Sequence, residues 1–555
     1  MHFGSLRLPS PLFFISRSVY EWLGGLSLLL VYVGIKRPFL MFDGPVNPDE
    51  SQMLAQAIAL QHDPVFWRSV DGTTAGPLNS YLIWGMGQLG LAYTYLLLHA
   101  LATVLVAAML WTGYKTLRLF TSRGAALTSL LITYLFLLLS DHKDFNHYNS
   151  ELLSVTLLTI SLYVLVRSLT MIHSPWYRYF ILGALCCLVP LAKLQGGPLV
   201  GLYMLYTSLT LYRSNKPARR KWISFAALFA GSATVLTFLL SLLWTYSLLN
   251  DAYVMYIQTN LTHYQSGNGW HLLVRLLFTS SYDYVFLLAV NVGLWLLALY
   301  AARQPTYSRL RHKHFLWFLV ANLLLSLWVA GRTGYIFEHY LFYTFLPITC
   351  LTGYALQLIQ SGTGPSYLGR LSYGHLLAMI VLGHGVNQYA KTRHPNQHFN
   401  PTTRSNGEQT VISLVNRYAK PGDCLAIWGW NCHYYVATGL WQATRENHSI
   451  RCMKTNSLGA LHNIALIDWY RRQYVQDIQR NRPVVFVDEV RANTLFTFPE
   501  TVVHETIPDL HAFVQAHYQL VSQQGGIRVY LRSDRFDSQS TQQAFLPVLP
   551  NTAIP

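Results

Sequence analysis

Asn47-Pro48-Asp49-Glu50 opens a polar stretch that closes on Asp71-Gly72-Thr73-Thr74-Ala75-Gly76-Pro77-Leu78-Asn79, directly after the first long apolar run of the chain. How these two motifs are read decides the fold. Acidic side chains are costly in hydrocarbon, so acids beside an apolar run sit either in a water-filled site or in a solvated loop. Paired acids also suit a helix start, as N-cap and first-turn residues. The rest of the chain has to choose between a site and a cap.

Composition sets the class. Of 555 residues, 52% are hydrophobic and only 12% are charged, about half the charge usual in soluble domains. Eleven apolar runs, at 19–35, 91–111, 124–140, 152–169, 179–192, 197–212, 222–248, 284–302, 315–331, 339–358 and 371–386, approach the roughly 20 residues that a membrane-crossing helix needs. The segment 77–89 is apolar but short, and fits a re-entrant piece, an interfacial helix or the first part of a longer span. The expected architecture is an α-helical polytopic membrane protein of about 11–13 transmembrane helices. No short apolar core with a small-residue cleavage site starts the chain, so the first run is expected to stay as a span. The net charge of +16 falls between the apolar runs. That placement fits membrane orientation, and nothing resembles a nucleic-acid-binding face.

Alternate loops collect the positive charge: Lys115, Arg118 and Arg123; Arg167 and Arg178; Arg213, Lys216, Arg219, Arg220 and Lys221; Arg303, Arg309, Arg311 and Lys313; and Arg370. Positive loops favour the cytoplasm, which puts the N-terminus inside and the C-terminal portion outside. Residues 47–79, 141–151, 250–283 and 332–338 then share the outer face.

Candidate site residues follow from that placement. The loop Asp141-His142-Lys143-Asp144-Phe145-Asn146-His147-Tyr148-Asn149-Ser150-Glu151 is dense in acids and histidines. It lacks the His-x-x-x-His spacing of a preformed helical metal site. Glu151 either starts the next helix or faces Asp49 across an aqueous cavity. Lys193, in Ala192-Lys193-Leu194-Gln195-Gly196-Gly197-Pro198, interrupts two apolar runs with helix breakers. It either meets an anionic partner such as a phosphate or snorkels to the interface. Arg332 and His339, flanking Tyr335-Ile336-Phe337-Glu338, are further candidates for phosphate, with an interfacial anchor as the other role for Arg332.

Together the acids after the first span, Asp-Gly-Thr-Thr-x-Gly-Pro-Leu-Asn, Tyr148-Asn149-Ser150-Glu151, the Lys193-Leu194-Gln195-Gly196 break and His339-Tyr340 resemble the GT-C glycosyltransferases. The likeness is to bacterial protein mannosyltransferase-like and aminoarabinose transferase-like members, and it covers about residues 19–340. It implies a polyprenyl-phosphate-linked sugar donor, a lipid, glycan or protein acceptor, and transfer on the outer face of a bacterial inner membrane. It maps the catalytic aspartate onto Asp49, with Glu50 and Glu151 beside it. Lys193, Arg332 and His339 are the donor-phosphate candidates. Asp71, Asp144, Tyr148, Asn149, Gln195 and Tyr340 are the other cavity candidates. Some relatives use a divalent metal and others do not; with no convincing local ligand cluster, transfer without a metal or other cofactor is expected. A carboxylate within reach of an acceptor hydroxyl can take its proton as it attacks the anomeric carbon. Cations can stabilise the departing lipid phosphate, and one displacement inverts the sugar. A transporter or flippase using the same charges is the alternative, although transporters place ionisable groups near the midplane.

The catalytic membrane part is expected over 1–390, with its first outer loop at 36–90 and a polar linker at 391–408. Residues 409–532 then alternate short apolar runs with helical patterns. These are a helix at 410–418, strands at 424–428 and 483–487, a helix at 461–480, and a hairpin of 519–521 and 527–531 around Gly525-Gly526, which together suit an extracytoplasmic α/β domain. Its segment from Asp423 to Arg445 is similar to the outer domains appended to some members of that family. Residues 533–555 form a polar tail expected to be disordered. Of the cysteines, Cys424, Cys432 and Cys452 fall in the outer part, where one disulfide is open to them.

Overall fold

The structure, a computed structural model, describes residues 11–171, 174–263, 313–332, 337–362, 407–454, 461–492 and 498–536, with isolated positions between 274 and 295, between 382 and 399, and at 496. The expected spans at 284–302 and 371–386, most of the linker and most of the tail lie outside the described residues. Each of the other nine apolar runs meets a helix.

With the loop helices between them, the first ten are α1 Pro11–Leu40, α2 Pro48–His62, α3 Pro77–Gln88, α4 Tyr95–Leu117, α5 Arg123–Leu139, α6 Lys143–Asn146, α7 Ser150–Thr170, α8 Trp176–Ala192, α9 Gly197–Arg213 and α10 Ala218–Thr245. Lys313–Gly331 and Phe342–Gly362 follow. Among the described residues, six helices are long and apolar enough to cross a membrane, and α5 and α8 are shorter apolar helices. The chain is a multi-pass membrane protein. The span Glu338–Ile359 is 89% buried and α10 only 22%, so the former is central and the latter turns its leucines and phenylalanines to lipid. Helices α8 and α10 touch through reciprocal glycines. A Cβ on Gly183 would lie 1.8 Å from Leu228 O, and one on Gly231 1.9 Å from Phe180 O, the close backbone approach that small residues permit between membrane helices.

The first loop is the organising element. Asn47 caps α2, accepting at Oδ1 from the Asp49 N–H at 3.1 Å, with Pro48 in the first turn. The cap therefore exists, and Asp49 and Glu50 occupy the first turn behind it. Residues from Glu50 to Leu60 are all buried, because α2 lies between α3 and the C-terminal domain; its buried polar groups are paired, Ser51 with Tyr95 OH and Gln56 Oε1 with Ser80. At 12 residues, α3 is about 18 Å long and stops at Gly90, where φ is +87°. It is a short helix on its own and not the start of a longer span.

The stretch after Asp71 is stitched to the break between α8 and α9. Ala75 pairs with Lys193 in an antiparallel bridge, the Gly76 N–H donates to Ala192 O at 2.9 Å, and Asn79 Nδ2 donates to the same oxygen at 2.6 Å. A Cβ on Gly76 would stand 2.0 Å from Leu191 O. Gly76→Ala is therefore expected to push the loop off the break, costing about 1–3 kcal/mol or more; thermal unfolding in detergent should show the loss, and an unshifted midpoint would refute the contact.

Beyond residue 407 the chain forms an α/β domain. Its strands are β1 Cys424–Trp428, β2 Trp441–Gln442, β3 Val485–Asp488, β4 Tyr518–Gln524 and β5 Ile527–Arg532, in the order β2-β1-β3-β5-β4. β1 is parallel to β2 and β3, and the hairpin β4–β5 adds antiparallel to β3. Every residue of β1 and β3 is buried, as expected of central parallel strands covered on both faces. Gly525 and Gly526, at φ +56° and +84°, turn the hairpin as a pair of left-handed residues must. All six cysteines are free, so the disulfide open to the outer three does not form.

Candidate active site

Five segments of the membrane part and the C-terminal domain meet around one cavity, about 720 Å³ of empty space including its open mouth. α2 gives it Asp49, Gln52 and Met53; Thr73 and Thr74 come from the loop, Ser150 from α7, and Lys193 from the α8–α9 break. Phe337, His339 and Tyr340 close one side, and Trp430, His448, Ile450 and Arg451 of the C-terminal domain close another.

Asp49 is half-buried, and its carboxylate accepts no hydrogen bond among the described residues. Burial pushes its carboxyl above the usual range, with Glu151 adding to the effect; His339, His147 and Lys193 pull against it without reversing it. The neighbouring Glu50 is fully buried and committed, accepting from Val46 N at 2.8 Å, Tyr148 N at 3.0 Å and His99 Nε2 at 3.3 Å. It does not line the cavity; it clamps the first loop to the second. Tyr148 OH donates to Asn79 Oδ1 at 3.0 Å, and Asn149 caps α7, accepting from Leu152 N at 3.0 Å. These two expected cavity residues are parts of the frame.

Lys193 is 3% exposed, so it does not snorkel. Its ammonium pairs with Glu151 Oε1 at 2.9 Å and donates to Ser150 Oγ at 2.8 Å and Thr74 Oγ1 at 3.0 Å, and its Nζ is 6.0 Å from the Tyr340 ring centroid. Glu151 thus pairs with Lys193 instead of confronting Asp49. Arg332 is exposed and stacks at 5.0 Å over Trp328, the anchor role, away from the cavity. Gln195 is buried without lining the cavity, and its amide has no partner among the described residues.

Behind His339 lies Asp144, whose Oδ2 meets His339 Nδ1 at 3.0 Å and whose Oδ1 accepts from Asn47 Nδ2 at 3.0 Å. Burial alone would push the Asp144 carboxyl up; the His339 imidazole beside it, with His142 and His147, holds it well below the usual carboxylate range. His147 Nδ1 bonds Lys143 O at 2.9 Å, and its buried Nε2 has no hydrogen-bond partner among the described residues. Asp49, His147 and His339 bring ligand atoms within 4.8 Å of one another. Spacing within the 141–151 loop missed this group because only His147 belongs to that loop; Asp49 is in the first turn of α2 and His339 opens a late span.

The C-terminal domain is fixed in place by buried ion pairs. Asp71, expected in the cavity, instead accepts from Arg451 Nη1 at 2.9 Å and Tyr470 OH at 3.0 Å. Arg445 bridges Asp251 and Asp477, at 3.1 Å each. Burial, with Arg451 beside it, pushes the His448 imidazole down to about 3, leaving it neutral in the cavity wall. Trp430, His448 and Arg451 carry no local motif that would have marked them.

The architecture has the GT-C-like fold expected from the sequence. It superposes on the crystal structure of ArnT from Cupriavidus metallidurans bound to undecaprenyl phosphate with a TM-score of 0.57 and 10% identity, covering 93% of this chain and 98% of that one. The apo form of the same protein gives 0.56 and 12%, over 92% and 98%. An Archaeoglobus fulgidus oligosaccharyltransferase tethered with an acceptor peptide aligns at 0.48 and 10%, over 91% and 73%. No family profile and no curated sequence matches the chain.

Proposed function

We propose that the protein is a glycosyltransferase that moves a sugar from a polyprenyl-phosphate donor to an acceptor hydroxyl on the outer face of the membrane, with inversion. One observation carries this. Of the acids Asp49, Glu50, Asp71, Asp144 and Glu151, only Asp49 opens on the cavity with no hydrogen-bond partner among the described residues. It stands opposite a paired lysine. Asp49 takes the acceptor proton as the oxygen attacks. Lys193 exchanges its hydroxyl partners, Ser150 and Thr74, for the donor phosphate and keeps Glu151, so that its charge stabilises the leaving group. A fold shared with a protein crystallised with undecaprenyl phosphate supports that donor class. The charges gather at one end of the helices, which favours an enzyme over a transporter with midplane sites. Sugar release from a panel of labelled polyprenyl-phosphate sugars by the purified protein tests the proposal; a panel spanning hexoses and pentoses left unconsumed in the presence of native membrane acceptors would count against it.

The sequence alone suggests transfer without a metal, but the cavity offers a place for one. His147 Nε2 is orphaned, His339 has Nδ1 engaged behind it, and the two imidazoles flank a carboxylate; each ring is oriented from behind by an oxygen, as metal-binding histidines usually are. Asp49, His147 and His339 would hold a divalent ion, which when bound supplies positive charge beside the donor phosphate. Excess chelator is expected to slow transfer about 10- to 100-fold, with recovery on adding a divalent ion. An unchanged rate would return the reaction to the metal-free form.

A further inference from the structure

Asp144 does not line the cavity described above, yet it is buried behind it, between Asn47 and His339. The direction of each hydrogen bond around it is dictated in turn. Asn47 Oδ1 is committed to the Asp49 N–H at the start of α2, so the Asn47 side chain can present only its Nδ2 donor to Asp144, at 3.0 Å. A carboxyl is a much stronger acid than an imidazolium, so where Asp144 meets an imidazole the shared proton belongs to the ring. Its second oxygen must therefore accept: it takes the His339 backbone N–H at 3.4 Å and faces His339 Nδ1 at 3.0 Å. An imidazole that donates from Nδ1 has its other nitrogen free as an acceptor or ligand.

We infer that Asp144 is a positioning residue which, oriented by the Asn47 helix cap, fixes Nδ1 as the protonated nitrogen of His339 and leaves Nε2 to meet Asp49 and His147. The cap of α2 and the tautomer of a histidine on a late span are thus one device. It places the base, Asp49, and its imidazole neighbour from a single amide. The consequence for sugar transfer rests on the function proposed above; the tautomer itself does not.

The experiment separates the two. Protein labelled with ¹⁵N-histidine in lipid nanodiscs, at a pH high enough for the ring to be neutral, gives the tautomer of His339 from its nitrogen shifts, assigned by difference against His339→Gln. Wild type is expected to show protonated Nδ1. In Asp144→Asn the new amide must turn its oxygen to the Asn47 donor and its own N–H to the ring, so the proton is expected to move to Nε2. Adding Asn47→Asp reverses this. The new carboxylate at 47 still caps α2 but now accepts from the amide at 144, whose oxygen swings back to the ring and restores Nδ1–H. Transfer should fall about 10- to 100-fold in the single variant, the range seen when a residue orienting a histidine is lost. The donor KM should hold, and the rate should return in the double variant. An ordinary packing role predicts no rescue by the exchange. A single variant that keeps protonated Nδ1, or a double variant that does not regain it, overturns the inference. A tautomer that moves without a change in rate overturns its part in transfer. If wild type itself transfers no sugar, the proposed function fails while the shifts still decide the tautomer.

Discussion

Asp49→Asn is expected to abolish transfer and leave the protein folded. The cap of α2 runs through the backbone N–H of residue 49 and the side chain of Asn47, neither of which the substitution touches. The carboxylate it removes has no hydrogen-bond partner among the described residues to strand. What is lost is an acceptor for the hydroxyl proton, and general bases of this kind are worth about 10²- to 10⁴-fold in rate. Turnover of labelled donor at saturating concentration, with the thermal midpoint measured beside it, is the check. Glu50→Gln supplies the contrast: it removes a buried clamp that accepts from two backbone N–H groups and His99, so stability should fall first and activity only with it. If Asp49→Asn turns over donor at the wild-type rate, Asp49 is a helix-start residue and nothing more.

The second large effect is expected at Asp71. Its pairing with Arg451 is almost fully buried on both sides, at 2% and 5% side-chain exposure, and the two residues are 380 positions apart. Breaking a buried pair from one side strands a charge and costs about 3–5 kcal/mol. In Asp71→Ala the guanidinium keeps only the more distant Glu446, at 3.7 Å, and Tyr470. The C-terminal domain should then loosen from the membrane loops, visible as faster hydrogen exchange around residues 445–451 and an early unfolding step. Arg445, held by Asp251 and Asp477, should keep the domain from leaving altogether. An unfolding curve superimposable on wild type would show that the pair contributes no net stability.

Much of the fold is legible in the sequence because its signals are local. Apolar runs of span length became helices, buried runs such as 424–428 became central strands, and Gly525-Gly526 became the hairpin turn. The site was only partly legible. Asp49, Lys193, His339 and Tyr340 reach the cavity, where a costly charge or a helix break had marked them in an apolar chain. Glu50, Asp71, Tyr148 and Asn149 carry equally strong signals for a different reason: buried polar groups that hold loops together look, in sequence, like polar groups that hold substrate. Glu151 and Lys193 are each other's partner, a fact no spacing rule contains. Trp430, His448 and Arg451 were invisible because they matter only through contacts made across the length of the chain.

That last wall has a bearing on how the protein is made. Synthesis is vectorial, and the helices enter the membrane in order, but the cavity stays open on one side until residues 430–451 have been made and folded against it. Lys193 and Asp49 are laid down early and wait. A nascent chain halted before residue 430 therefore carries Asp49 and Lys193 with one wall of the chamber missing, and water has free access to both. Competence arrives at once, near the end of translation, when the sheet domain docks.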